Sequence, residues 1–143
     1  MPYVERKLRA TLSFLLADPR LLPHGALLDA GANDGTEACW LASIAPSRQI
    51  VAVEPLPANV DDIRQLAKRR SLANVEVIHG SLANASGTDT IVEHAKARTH
   101  GWVTTRYPHI YNNAGTRNPI DSLCLERMVA SAEPLLFSAC SHT

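Results

Sequence analysis

Helical and extended hydrophobic patterns alternate through residues 3–79 of this chain, and that order limits the fold more than any other feature. Val4, Leu8, Leu12, Leu15 and Leu16 recur at helical spacing over residues 3–17. Asp18-Pro19 ends the pattern, because a residue before proline avoids the α region. Ala26-Leu27-Leu28-Asp29 follows as a short apolar run of the buried-strand type. After Gly31-Ala32-Asn33-Asp34-Gly35 the spacing predicts a helix over Thr36–Ile44. Gln49 to Glu54 reads as a second strand, apolar up to its terminal acid, broken by Pro55 and Pro57. Asn59 is expected to head a further helix with Val60, Ile63, Leu66 and Ala67 on one face. Lys68, Arg69 and Arg70 stand near its C-terminus, where cations suit the helix dipole. Val75–His79 is a third strand. Such alternation is the pattern of a parallel sheet with right-handed crossovers. The expected fold is therefore α/β, a Rossmann-like parallel sheet flanked by helices.

The 143 residues fit a single domain, 1–143, with an N-terminal helical segment over 1–22, the alternating part over 23–90 and a divergent segment over 91–143. Aromatic residues make up only 5%, so the core must be aliphatic. The second half is harder to read. Gly80 to Asp89, rich in Ser, Ala, Asn and Gly, reads as a loop, Thr90–Arg98 as a short helix and Gly101–Tyr107 as a strand. Asn112–Gly115 and Asn118-Pro119 read as turns, Ile120–Ala132 as a weak helix, and Pro134–Cys140 as a final strand.

Formal net charge is zero and neither half is basic, so no field of the kind that drives nucleic-acid binding is expected. No apolar stretch approaches the roughly 20 residues of a membrane span, and the charged N-terminus is unlike a secretory leader. A soluble, cytoplasmic protein is the expectation. Cys39, Cys124 and Cys140 show no metal-ligand spacing and read as ordinary thiols, and no metal site is expected.

The chemistry concentrates at one edge of the expected sheet. Ligands of open parallel sheets bind outside the carboxyl ends of the strands, where both Asp29 to Gly35 and Glu54 fall. Gly31 lets the chain turn sharply and a ligand approach, and Gly35 gives the same freedom where the next helix begins. The N–H groups and dipole of that helix start suit a carboxylate. Glu54 can accept two hydrogen bonds from a vicinal ribose diol, so the edge suits an adenosine-containing cofactor. A nicotinamide dinucleotide needs the GxGxxG turn, but Asn33 and Thr36 replace its second and third glycines. Asp29 beside the turn suits a cationic ligand better than a pyrophosphate. That favours S-adenosylmethionine and leaves an NAD-dependent oxidoreductase as a weaker reading. A purely structural alternative has Asp29 and Asn33 cap the helix and the glycines serve packing.

The run Asp29-Ala30-Gly31-Ala32-Asn33-Asp34-Gly35 resembles motif I of the class I S-adenosylmethionine-dependent methyltransferases. Its continuation, Val51-Ala52-Val53-Glu54-Pro55, then Asn59 and Asn74-Val75-Glu76-Val77, resembles the FkbM-type methyltransferases in particular, over about residues 20–90. The resemblance implies a Rossmann-like fold with Asp29, Gly31, Asn33 and Gly35 around the methionine part of the cofactor. It also implies Glu54 on the ribose, and Ser81 and Leu82 near the adenine, mostly through backbone groups. The implied activity is O-methylation of an acceptor hydroxyl on a small molecule, glycan or lipid.

That family carries a fourth strand ending in a Lys-Ile-Asp-Val-Glu-Gly-like run, and no such run occurs here. Leu135–Cys140 is the candidate for the missing strand beside the first, though it brings no acid. Without it the edge of the first strand is open to pairing with a second copy. The second functional reading is therefore a catalytically inactive cofactor-binding or interaction module on this fold. His79, at the end of the third strand, is the histidine placed to serve as a base. Asp34 and Glu37 fit the dipole of their helix, and Trp40 its core face.

Overall fold

The computed structural model describes residues 3–22, 25–93, 101–103, 116–124 and 136–139. Helix α1 (Tyr3–Ala17) leads into β1 (Leu27–Ala30), α2 (Thr36–Ile44), β2 (Ile50–Glu54), α3 (Pro57–Arg69) and β3 (Val75–His79). The remaining elements are extended: β4 (Ser81–Ala83), β5 (Gly87–Glu93), β6 (Gly101–Val103), β7 (Thr116–Cys124) and β8 (Leu136–Ala139). The first sheet has the order β3-β2-β1-β8 and is parallel throughout. The second has the order β4-β7-β5-β6, with β4 and β7 parallel and the other pairs antiparallel.

Alternation along β1 and β2 sorts side chains onto two faces. Leu27, Ile50 and Ala52 join Ala38, Leu41 and Ala42 of α2 and Ile63 of α3 in one cluster, with Leu12, Leu16 and Trp40 packed against it. Leu28, Val51 and Val53 face the other way, against Leu82 and Leu123 of the second sheet. Helices thus cover one face of the first sheet and β4 and β7 cover the other. Every residue of β2 is buried, as its near-continuous apolar run requires. At the N-terminal ends of the strands the Asn74 amide reaches the carbonyls of Ala42, Ala45 and Arg48 at 3.2, 3.3 and 2.9 Å, anchoring the start of β3.

Several expectations are corrected. Helix α3 begins at Pro57, not Asn59. Proline is well suited to the first helical position, whose N–H needs no partner. The expected loop over Gly80–Asp89 contains β4 and the start of β5, and β5 also replaces the start of the expected helix Thr90–Arg98. Asn118-Pro119 lies inside β7 rather than at a turn, and β7 also takes the first residues of the expected helix Ile120–Ala132. Pro119 pairs opposite Thr90 of β5, whereas β4 reaches only Ser122–Cys124. The proline therefore sits where β7 has one neighbouring strand and a missing N–H is tolerated. The expected final strand appears as β8 and pairs in parallel with β1, Leu27 opposite Leu136 and Ala30 opposite Ala139. The expected turn Asn112–Gly115, residues 94–98 and 104–107, and Cys140 lie outside the described residues.

Candidate functional site

The carboxyl ends of β1 and β2 and the turn before α2 meet at one place. Backbone bonds fix the turn first: the N–H groups of Gly31 and Ala32 donate to Val53 O at 2.8 and 3.1 Å, and Gly35 N–H donates to Ala32 O at 2.8 Å. Asn33 N–H donates to Glu54 Oε2 at 2.8 Å, and Thr36 N–H to Asp34 Oδ1 at 2.9 Å. Much of the donor capacity expected to greet a ligand carboxylate is therefore spent on the turn, which makes it rigid.

Gly31 and Gly35 have φ of 76° and 77°, and Asn33 also lies in the left-handed region at 49°. The two glycines differ in surroundings. A Cβ on Gly35 would stand 2.9 Å from Ile63 Cγ1, so its absence lets α2 approach α3. A Cβ on Gly31 would meet nothing within 4 Å. The backbone there borders open space, as an approaching ligand needs.

Asp29 lies on the helix-covered face, 1% exposed, and neither carboxylate oxygen has a hydrogen-bond partner. Burial pushes its pKa up to about 6, and the Glu37 and Glu54 carboxylates push in the same direction. The Ala38 N–H in the first turn of α2 offsets a little of this without reaching hydrogen-bond geometry. Glu37 is itself paired, its Oε1 2.6 Å from Arg9 Nη2. An orphaned, buried carboxylate in an acid-rich corner is electrostatically matched to a positive charge rather than a negative one.

Glu54 is 4% exposed and serves the fold as well as the site. Its Oε1 accepts from Leu56 N–H at 2.9 Å and Asn59 Nδ2 at 3.2 Å. Burial raises its pKa, and these hydrogen bonds with that of Asn33 work against the rise. Leu56 is the N-cap of α3, and Glu54 accepts from its N–H, the donor that the third helical residue meets in a capping box. The sequence places Asn59 at the head of this helix and within the family resemblance, without a contact to Glu54. Its true place, third in the helix, is where a capping-box side chain reaches back, and Pro57 at the first position is the signal for it.

Ser81 and Leu82 are nearby in part. Gly80 N–H donates to Glu54 O at 3.1 Å, bringing the start of β4 to this edge. The Ser81 hydroxyl is buried 3.3 Å from that of Ser122, and Leu82 packs on the opposite face of the first sheet. The link to Glu54 runs through the backbone of the preceding residue, Gly80. His79 lies opposite Glu54 in the strand register, exposed, with Nε2 3.1 Å from Pro55 O. Asp34 caps Thr36 and Glu37 binds Arg9, both structural roles. A groove of ≈ 480 Å³ lined by Ser47, Arg48, Gln49 and Glu76 lies at the opposite end of the strands and takes no part in this site.

The sequence matches no family model and no curated protein. Its structure is similar to that of an S-adenosylmethionine-dependent methyltransferase from Aquifex aeolicus, with 21% identity and a TM-score of 0.38 over 40% of this chain and 31% of that one. It is similar to precorrin-6y C5,15-methyltransferase from Geobacter metallireducens GS-15, with 27% identity and a TM-score of 0.41 over 54% of this chain and 37% of that one. It is also similar to coclaurine N-methyltransferase bound to N-methylheliamine and SAH, with 24% identity and a TM-score of 0.43 over 50% of this chain and 21% of that one. The chain thus matches between 21% and 37% of the length of these structures.

Proposed function

We propose that the chain binds S-adenosylmethionine at the carboxyl edge of β1 and β2 and belongs to an O-methyltransferase of the FkbM type. The observation that carries this reading is Asp29, a buried carboxylate with two unpartnered oxygens. It stands beside a glycine turn that leaves open space above Gly31. Asp29 would hold the cationic methionine end and Glu54 the ribose, with Gly31, Asn33 and Gly35 shaping the turn between them. Ser81 and Leu82 would border the adenine through their backbone. When bound, the cofactor supplies the activated methyl group. The chain's own contribution is proximity and orientation on a turn already fixed by its own hydrogen bonds. His79, at the same edge, is the candidate to take the proton of an acceptor hydroxyl. The acceptor class is a small molecule, glycan or lipid, and the location cytoplasmic. Among the described residues no helix is long and apolar enough to cross a membrane.

Calorimetric titration of the chain with S-adenosylmethionine, and NAD as control, tests the cofactor. Micromolar binding of the first and none of the second is expected; the reverse, or no binding by a folded chain, refutes the reading. Glu54→Gln, which keeps the shape of the side chain, is expected to weaken binding about ten- to hundredfold, the scale of a hydrogen bond to a charged group.

One observation favours the second reading, a binding module without turnover. The strand beside β1 is Leu136-Phe137-Ser138-Ala139, which contributes no acid or base to this edge. Formation of S-adenosylhomocysteine with a panel of hydroxyl acceptors separates the two: binding without any turnover selects the module.

A further inference from the structure

Among the described residues four large apolar side chains are exposed: Leu8 and Phe14 on α1, Leu21 in the turn behind it, and Ile44 at the end of α2. They belong to one part of the molecule. Helix α1 runs alongside α2 in the same direction: Arg9 pairs with Glu37 near the start of α2, and Arg48 Nη2, past its end, donates to Leu22 O at 2.7 Å. Exposed apolar residues scattered singly are ordinary, but their concentration in one layer marks a contact surface.

The two faces of α1 differ. Leu12 and Leu16 pack against the core, and Arg9 meets Glu37 and Trp40. On the far side Lys7, Ala10, Phe14 and Ala17 are all exposed, at alternating steps of three and four residues, the spacing of a coiled-coil seam. Phe14 is 68% exposed, the most of the four apolar residues. One large side chain between two alanines complements itself when two copies run antiparallel, because the ring of each fills the low place over an alanine of the other. The ends match as well. Helix α1 has no basic residue in its last turn. Antiparallel pairing brings Lys7 of each copy to that end of the other, where a cation suits the helix dipole.

We propose that α1 docks antiparallel on α1 of a second copy of the chain, with Phe14 of each copy packed on the partner's Ala10 and Lys7 beside the partner's Ala17. This does not depend on the cofactor reading above. A single helix pair is a small interface, so the dimer forms with a Kd on the order of 10–100 µM.

Sedimentation equilibrium of the whole chain over about 5–500 µM tests this. A reversible rise from 15.5 kDa toward twice that mass is expected. Phe14→Lys and Ala10→Glu change exposed positions, so each should keep the parent's far-ultraviolet circular dichroism while weakening dimerisation at least about tenfold. Mixed in equal amounts, the two variants should associate at least about tenfold more tightly than either alone. In the mixed pair the introduced lysine faces the introduced glutamate at one contact, and Phe14 keeps Ala10 at the other. A chain that stays monomeric throughout overturns the proposal. So does a dimer that neither substitution weakens, which would place the contact at a sheet edge, and so does a mixture no tighter than the separate variants.

Discussion

Keeping Asp29 ionised without a partner has a cost that depends on pH. Its carboxyl in the folded chain has a pKa of about 6, against an ordinary value of 3.8. Between those values the folded state holds more protons than the unfolded one, so stability is greatest below about pH 4, falls as pH rises through 6, and is flat above. The size of the loss is about 3 kcal/mol at neutral pH. Asp29→Asn should remove this slope and raise the urea midpoint at pH 7.5 relative to the parent, while weakening binding of a cationic ligand. A parent whose midpoint is the same at pH 5 and 7.5 would contradict it. A bound cation should also lower the Asp29 pKa, so ligand affinity should rise with pH through about 6. The two glycines allow a comparison at the same scale. Gly31→Ala meets open space and bears only the left-handed backbone cost of about 1–2 kcal/mol. Gly35→Ala adds a Cβ 2.9 Å from Ile63 and should cost about 1–3 kcal/mol more. Equal denaturation midpoints for these two variants would refute the packing role of Gly35.

At the scale of elements, α1 is tied to α2 by Arg9, which pairs with Glu37 and lies 5.0 Å from the centroid of the Trp40 ring. Arg9→Ala should cost about 1–2 kcal/mol and speed hydrogen exchange in α1 before the sheet. Exchange rising equally in β2 would show that α1 is no separate unit. The elements that the sequence reveals are those framed by strong local signals. Thr36–Ile44 and Val75–His79 have the bounds expected of them, because the first is framed by Gly35 and Pro46 and the second is a β-branched run ending at Gly80. The second sheet was hidden for the converse reason. Its strands draw their stability from partners distant in sequence, as Ser81 from Ser122 and Thr90 from Pro119, and their Ser, Asn, Gly and Pro content speaks locally for loops. In the candidate site the glycines and carboxylates were legible because each has a strong local preference. Asn59 was not, because its role exists only once Leu56, Glu54 and Asn33 have been brought together.

For the whole molecule, β8 matters more than its four residues suggest. By pairing with β1 it makes β1 an interior strand, with β2 on its other side. Ending the chain before Leu136 should move the sheet edge from β8 to the buried β1, and sedimentation should show more self-association than in the full chain. A monomeric, cooperatively folding truncation would show β8 to be dispensable. The pairing also sets a clock. Leu27 meets Leu136 across about 110 residues of later chain, and synthesis at about 5–20 residues per second puts their meeting some 5–20 s after β1 has been made. Through that interval the nascent chain carries an unsaturated central strand, available to a chaperone or to a neighbouring nascent chain. Protease protection of β1 on stalled ribosomes should therefore appear only after residues 136–139 have cleared the exit tunnel.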